Sequence, residues 1–235
     1  MAYDLWYWSG IQGRGEFVRL PLEAAGIAYR DRAREEGDDA LMADMKARGP
    51  RRPFAPPYLV AGDGVIAQVA EILLFLGQRE GLGPSDDADR LWLHQVELTI
   101  TDFVAEVHQV HHPVGVGAYY EDQKPEAARF ATEFRAERMP KFLHYFEDAA
   151  AAGSGTWLVG ERWSYGDTSL FQIIEGLRYM FPRRMGAIER DYPRLLAIHA
   201  AVGELPGVRA YLASERRIAF NTQGIFRHYP ELDAE

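Results

Sequence analysis

The sequence predicts a small α/β domain followed by a larger all-helical one. Three observations predict it. Short apolar runs alternate with helical stretches up to residue 80. A turn-forming stretch, Gly81-Leu82-Gly83-Pro84-Ser85, comes next. Beyond it, apolar residues recur at three- and four-residue intervals, and no strand pattern of any strength returns. The expected boundaries are 1–80 for the α/β domain, 81–88 for the linker and 89–235 for the helical domain.

Each element has a local reason. Residues 3–8, Tyr-Asp-Leu-Trp-Tyr-Trp, read as an aromatic-rich strand. Gly10 to Gly13 form a loop, and Arg14 to Ala25 a helix closed by Gly26, with Pro21 as an internal conflict. Ile27 to Arg30 suits a short strand, and Asp39 to Arg48 a short helix. Tyr58-Leu59-Val60 and Val65-Ile66-Ala67 flank Gly62-Asp63-Gly64 and predict a hairpin. Gln68 to Leu76 is helical and stops at Gly77.

In the second domain Leu93, Val96, Ile100, Phe103, Val107 and Val110 mark a long amphipathic helix. Pro125 to about Ala150 predicts another, kinked at Pro140. Ser164 to Tyr179, Pro193 to Val202 and Pro206 to Leu212 complete the set. Ser164 and Asp167 have the spacing of a capping box, a folding element without chemistry.

Composition narrows the function. A formal charge of −9 and a pI near 5.3 speak against a nucleic-acid footprint, which is basic. No apolar run approaches a membrane span. The first residues lack the basic start and cleavage site of a signal peptide, so a cytoplasmic protein is expected. There is no cysteine, which removes cysteine nucleophiles, CxxC redox motifs and cysteine-held zinc together. Any thiol chemistry must use a thiol that the substrate brings.

The most informative stretch is Pro56-Pro57-Tyr58-Leu59-Val60, followed by Gln68-Val69 at a helix start. A proline pair cannot donate to a sheet, so the strand begins with an irregular free edge, and a cis bond before Pro57 would expose it further. A helix N-terminus offers unpaired N–H groups to a carboxylate. Together they suit a small peptide with a free acid.

Tyr7-Trp8, Gly13-Arg14 with Glu16-Phe17-Val18-Arg19-Leu20, Pro57-Tyr58-Leu59 and Gln68, in that order and spacing, resemble the cytosolic glutathione transferases. The tyrosine-type classes are nearest, mu especially. Trp157-Leu158-Val159-Gly160 and Ser164-Tyr165-Gly166-Asp167 extend the resemblance into the second domain. It implies a thioredoxin-like first domain with an all-helical second one, glutathione as co-substrate, a small hydrophobic electrophile and a homodimer. The implied activity is conjugation of the glutathione thiolate in detoxification.

The resemblance also implies roles. Tyr7 would donate its hydroxyl to the glutathione sulfur, with Ser9 as the alternative. Between Tyr7 and Arg14 the chain is one residue longer than the mu pattern, so without a gap Trp8 falls at the tyrosine's place. Gln68 and Val69 would meet the γ-glutamyl end, Pro56 the cysteinyl unit and Lys46 the glycyl carboxylate, with Arg14 as a helping residue. Asp102 would reach the partner subunit's glutathione. Val69 replaces a usual Ser or Thr, Pro56 lacks a donor N–H, and Glu71 puts a charge where a small residue is usual. These changes define the alternative: a transferase-like binding or interaction protein with a degraded site and little catalysis.

Trp8, His108, His112 and Phe220 are candidates for the electrophile pocket. His108, His111 and His112 share helical spacing, but no acid or fourth ligand stands beside them in the sequence, so no metal is expected.

Overall fold

The computed structural model describes residues 2–153 and 155–234. The first domain is a four-stranded sheet in the order β2-β1-β3-β4. Its strands are β1 (Tyr3–Trp6), β2 (Tyr29–Asp31), β3 (Tyr58–Ala61) and β4 (Gly64–Ala67). β1 runs parallel to β2 and antiparallel to β3, and β3 and β4 form the expected hairpin through Gly62, whose φ is +64°. β1 carries buried side chains on both faces because helices cover both, and Leu5 and Trp6 belong to different apolar clusters.

Helix α1 (Glu16–Ala25) follows a single 3-10 turn over Gly13–Gly15, and Gly26 closes it in the left-handed conformation. Pro21 lies inside α1 without ending it. α2 (Arg32–Glu36) and α3 (Asp38–Ala47) follow β2. The sequence contained α2 but no apolar period to reveal it, since only Ala33 of its five residues is buried. α4 (Val69–Glu80) corrects the expected stop at Gly77: the helix runs on to a left-handed cap at Gly81. Gly77 serves packing instead, since a Cβ there would lie 2.8 Å from a ring carbon of Tyr165.

The second domain begins with α5 (Asp87–Gln109), capped by the Asp86 carboxylate on the N–H groups of Ala88 and Asp89. The long helix expected after Pro125 is α6 (Lys124–Glu133) joined to α7 (Met139–Ala152) by one wide π turn over Phe134–Arg138. The irregularity therefore precedes Pro140 by a turn, because the missing proline N–H frees a carbonyl there. α8 (Tyr165–Met180) is the buried centre, followed by α9 (Pro182–Ile188), α10 (Pro193–Gly203) and α11 (Pro206–Leu212). α9 had no sequence signal beyond Pro182 at its first position. Among the described residues no strand follows residue 80, as expected.

Asp167 anchors α8 more firmly than a simple cap. Its carboxylate accepts the Ser164 N–H at 2.7 Å, the Ser164 hydroxyl at 2.7 Å and the Leu158 N–H at 2.8 Å. The two domains meet through α1. Buried Arg19 pairs with Asp31 at 2.7 Å and Glu16 at 3.3 Å, while Glu16 also takes the Tyr211 hydroxyl at 2.8 Å and the Arg217 guanidinium. Gly207 lets α11 approach α1 closely, since a Cβ there would meet the Glu23 carbonyl oxygen at 2.0 Å. No described helix is long and apolar enough to cross a membrane.

Candidate active site

Tyr7 follows β1 directly, and its ring is held under the turn that opens α1. A Cβ on Gly13 would lie 2.1 Å from the Tyr7 hydroxyl oxygen, and one on Gly15 would lie 2.6 Å from ring carbons. Two glycines are therefore required for that ring to fit. The hydroxyl oxygen accepts the Arg14 N–H at 2.8 Å. Burial raises the Tyr7 pKa above its ordinary value, against smaller lowering effects from the Arg14 N–H and from the charges of Arg14 and Arg19. The phenol stays protonated at neutral pH. With its lone pair used by a backbone N–H, its proton is free to donate.

The irregular edge is present. The Pro56–Pro57 bond is cis, and Gln68 holds φ +70°, the one non-glycine residue with positive φ among those described. Arg14, Phe54, Ala55, Pro56, Pro57, Gln68, Val69 and Thr101 line one open groove of about 270 Å³. Four expected site residues, Arg14, Pro56, Gln68 and Val69, thus come together. Val69 begins α4, so its N–H is one of that helix's unpaired donors. Glu71 is exposed, which takes its charge out of the groove.

Lys46 lines an adjoining groove with Met42, Met45, Arg52 and Phe54. Arg48 is engaged by the Asp44 carboxylate at 2.5 Å and 2.9 Å, whereas Arg14, Lys46 and Arg52 pair with no described carboxylate. Three unneutralised cations therefore flank the rim. Asp102 is exposed on α5, next to Thr101 of the groove. Ser9 donates its N–H to Asp38 at 2.9 Å.

The electrophile-pocket candidates divide. Trp8 packs against the cluster of Trp6, Ala33, Leu41 and Tyr58. Phe220 stacks on Tyr179 at 4.9 Å and stands edge-on to Phe226, within the helical core. His108 and His112 stack at 4.9 Å at the end of α5, with His111 against both. Burial first, then neighbouring positive charge, lowers the His108 pKa to about 4. The Arg14 charge is among those neighbours, so the histidines sit beside the groove.

Sequence reasoning missed Thr101, Phe54 and Glu97. Thr101 and Phe54 had no signal beyond adjacency to Asp102 and to the proline pair. Glu97 lies one helical turn before Thr101 and is fully buried, with both carboxylate oxygens unpartnered. With Arg14, Phe17, Val69, Ile100 and Thr101 it lines a small cavity behind the groove. Burial raises its pKa to about 8.

Comparisons with known proteins bear on the family likeness and the fold. Residues 108–215 match the family described as "Glutathione S-transferase, C-terminal domain". The chain is 24% identical over 225 residues to the glutathione S-transferase class-mu 26 kDa isozyme of Schistosoma mansoni, covering 95% of this chain and 94% of that one. It is 26% identical over 223 residues to glutathione S-transferase P 1 of Xenopus laevis, covering 92% and 94%. The pi-class glutathione S-transferase structure of Onchocerca volvulus superposes with a TM-score of 0.72 at 21% identity, over 90% of this chain and 92% of that one. The small mixed sheet with its helical second domain is the fold of that class of protein. Over residues 108–215 the chain thus resembles the C-terminal domain of the glutathione S-transferases, and over most of its length it shares their fold.

Proposed function

We propose that the protein is a glutathione transferase that joins the thiolate of glutathione to a small hydrophobic electrophile. The observation that carries this is the groove in which Arg14, Pro56, Gln68 and Val69 meet, one of whose lining residues, Arg14, donates its N–H to the Tyr7 hydroxyl. The γ-glutamyl carboxylate would lie at the start of α4, on the Val69 N–H and the Gln68 side chain. The carbonyl of Pro56 would accept the cysteinyl N–H. Lys46 and Arg52 supply charge for the glycyl carboxylate.

Tyr7 would donate a hydrogen bond to sulfur. That bond favours the thiolate over the thiol and lowers the thiol pKa, so the proton leaves to solvent without a strong base. The thiolate then attacks an electrophilic carbon, by addition or by displacing a leaving group. Ser9 is the alternative donor.

A homodimer completes the proposal. Phe54, at the groove's rim, is 94% exposed. Leu91 and Leu98 are exposed on α5 at helical spacing from Asp102. A second copy laid on that face would cover the leucines and bring Asp102 to the partner's groove. Conjugation in the cytoplasm, as a detoxifying reaction, fits these features.

Two residues favour the second reading, a binding protein with little catalysis: Val69 has no hydroxyl, and Pro56 has no N–H. Retention on immobilised glutathione and turnover of a chlorinated nitrobenzene test both. Retention with turnover supports the transferase. Retention alone supports the binder. Neither, at millimolar glutathione, overturns the proposal.

A further inference from the structure

His108 lies in the last turn of α5, and His111 and His112 follow it within one further turn, so the three rings converge. One ring nitrogen from each lies within 4.8 Å of those of the other two. His111 is fully buried, and its Nδ1 has no partner in the protein. A buried ring nitrogen without a partner costs free energy unless something else binds it.

The partners of the other nitrogens fix which lone pairs are free. The His111 Nε2 lies 2.8 Å from the Ile225 carbonyl oxygen. A carbonyl only accepts, so Nε2 carries the proton and Nδ1 keeps its lone pair. The His112 Nδ1 lies 3.0 Å from the Ala118 carbonyl oxygen and is protonated by the same reasoning, which leaves its Nε2 unprotonated. Gln123 Nε2 approaches the same His112 nitrogen at 3.4 Å, but it too donates to Ala118, at 3.0 Å. His108 makes no hydrogen bond to a described residue. A backbone carbonyl behind each of two rings is the support that metal-binding imidazoles use.

We propose that His108, His111 and His112 form a three-histidine site for a borderline transition-metal dication, Zn²⁺ above all, with a fourth position open. Three neutral imidazoles suit Zn²⁺, Ni²⁺ and Cu²⁺ and do not suit Mg²⁺ or Ca²⁺. Tetrahedral zinc at about 2.05 Å from each nitrogen sets them about 3.3 Å apart, so the nitrogens draw together by up to about 1.5 Å on binding. The positive charges of Arg14 and Arg227 act on His108, and that of Arg227 on His111 as well. Their charge opposes a dication and selects an anionic fourth ligand, such as hydroxide. The missing acid in the sequence is thus an open position rather than an incomplete site.

The test uses the full chain stripped with chelator, without glutathione. Co²⁺ is titrated and its visible absorption followed, and Zn²⁺ then displaces it. One equivalent of tetrahedral Co²⁺ is expected, displaced by one of Zn²⁺. His108→Gln and His112→Gln should each weaken binding at least about tenfold, by analogy with the loss seen when supporting partners are removed. His144→Gln, at an exposed histidine elsewhere, should change nothing. Electron paramagnetic resonance of the Cu²⁺ form gives a reading on unmutated protein and should count three nitrogen ligands. No binding, binding untouched by the two cluster variants, or fewer than three nitrogens would overturn the site.

Discussion

The hydroxyl oxygen of Tyr7 accepts the main-chain N–H of Arg14 at 2.8 Å. This contact joins the end of β1 to the turn before α1 and fixes the direction of the phenol's proton. It depends on Gly13 and Gly15, whose missing side chains leave room for the ring.

Tyr7→Phe removes the donor and leaves the ring. A hydrogen bond to a charged group contributes about 1.5–3 kcal/mol, so kcat/KM for conjugation should fall about ten- to a hundredfold. The loss should be largest near neutral pH and shrink at alkaline pH, where the free thiol ionises unaided. Ser9→Ala should leave the profile in place. The reverse pattern would move the donor role to Ser9.

Glu97 gives the stability a pH dependence with a definite sign. Burial pushes its folded pKa up to about 8, from about 4.5 for a free glutamate. Between these values the native state holds a proton that the unfolded chain releases, so stability falls as pH rises from about 4.5 to 8 and is flat above. The effect is at most about 5 kcal/mol. Glu97→Gln should raise the urea midpoint at pH 8, leave it nearly unchanged at pH 4 and flatten the curve between. A variant less stable than the parent at pH 8 would contradict this.

Asp167→Ala strands the buried N–H groups of Ser164 and Leu158. At 1–3 kcal/mol for each unsatisfied group, unfolding should come about 3 kcal/mol sooner. Ser164→Ala, which keeps the carboxylate's two backbone bonds, should cost only about 1 kcal/mol. Denaturant unfolding of both variants measures the difference.

Phe54→Ser should shift the protein toward monomer in sedimentation. Asp102→Asn should raise the KM for glutathione with little change in kcat, the signature of a lost ground-state contact. Equal loss of glutathione affinity in a monomer and a dimer would separate Asp102 from the interface.

Much of this was legible in the sequence. Proline and glycine punctuation gave the hairpin and the cap at Gly26, because each uses a backbone property that one residue type supplies. Gly77 misled because a glycine that admits the Tyr165 ring looks like one that ends a helix. α2 was hidden because it buries almost nothing. Within the groove, Pro56, Gln68 and Val69 lie close together in the sequence, whereas Arg14 joins them from the turn before α1. Thr101 and Glu97 were not legible, since they reach the groove and the cavity behind it only through packing of α5 against α4. The metal-binding geometry of the histidines depends on the Ile225 and Ala118 carbonyls, which spacing along one helix cannot reveal.

The central claim is that the Tyr7 phenol holds the sulfur of bound glutathione as a thiolate. Titration of that bound thiol by its ultraviolet absorbance tests it most directly. The account predicts substantial ionisation at neutral pH in the parent protein and a return to the free thiol's titration in Tyr7→Phe. A bound thiol that titrates like free glutathione, or one unchanged in Tyr7→Phe, would contradict it.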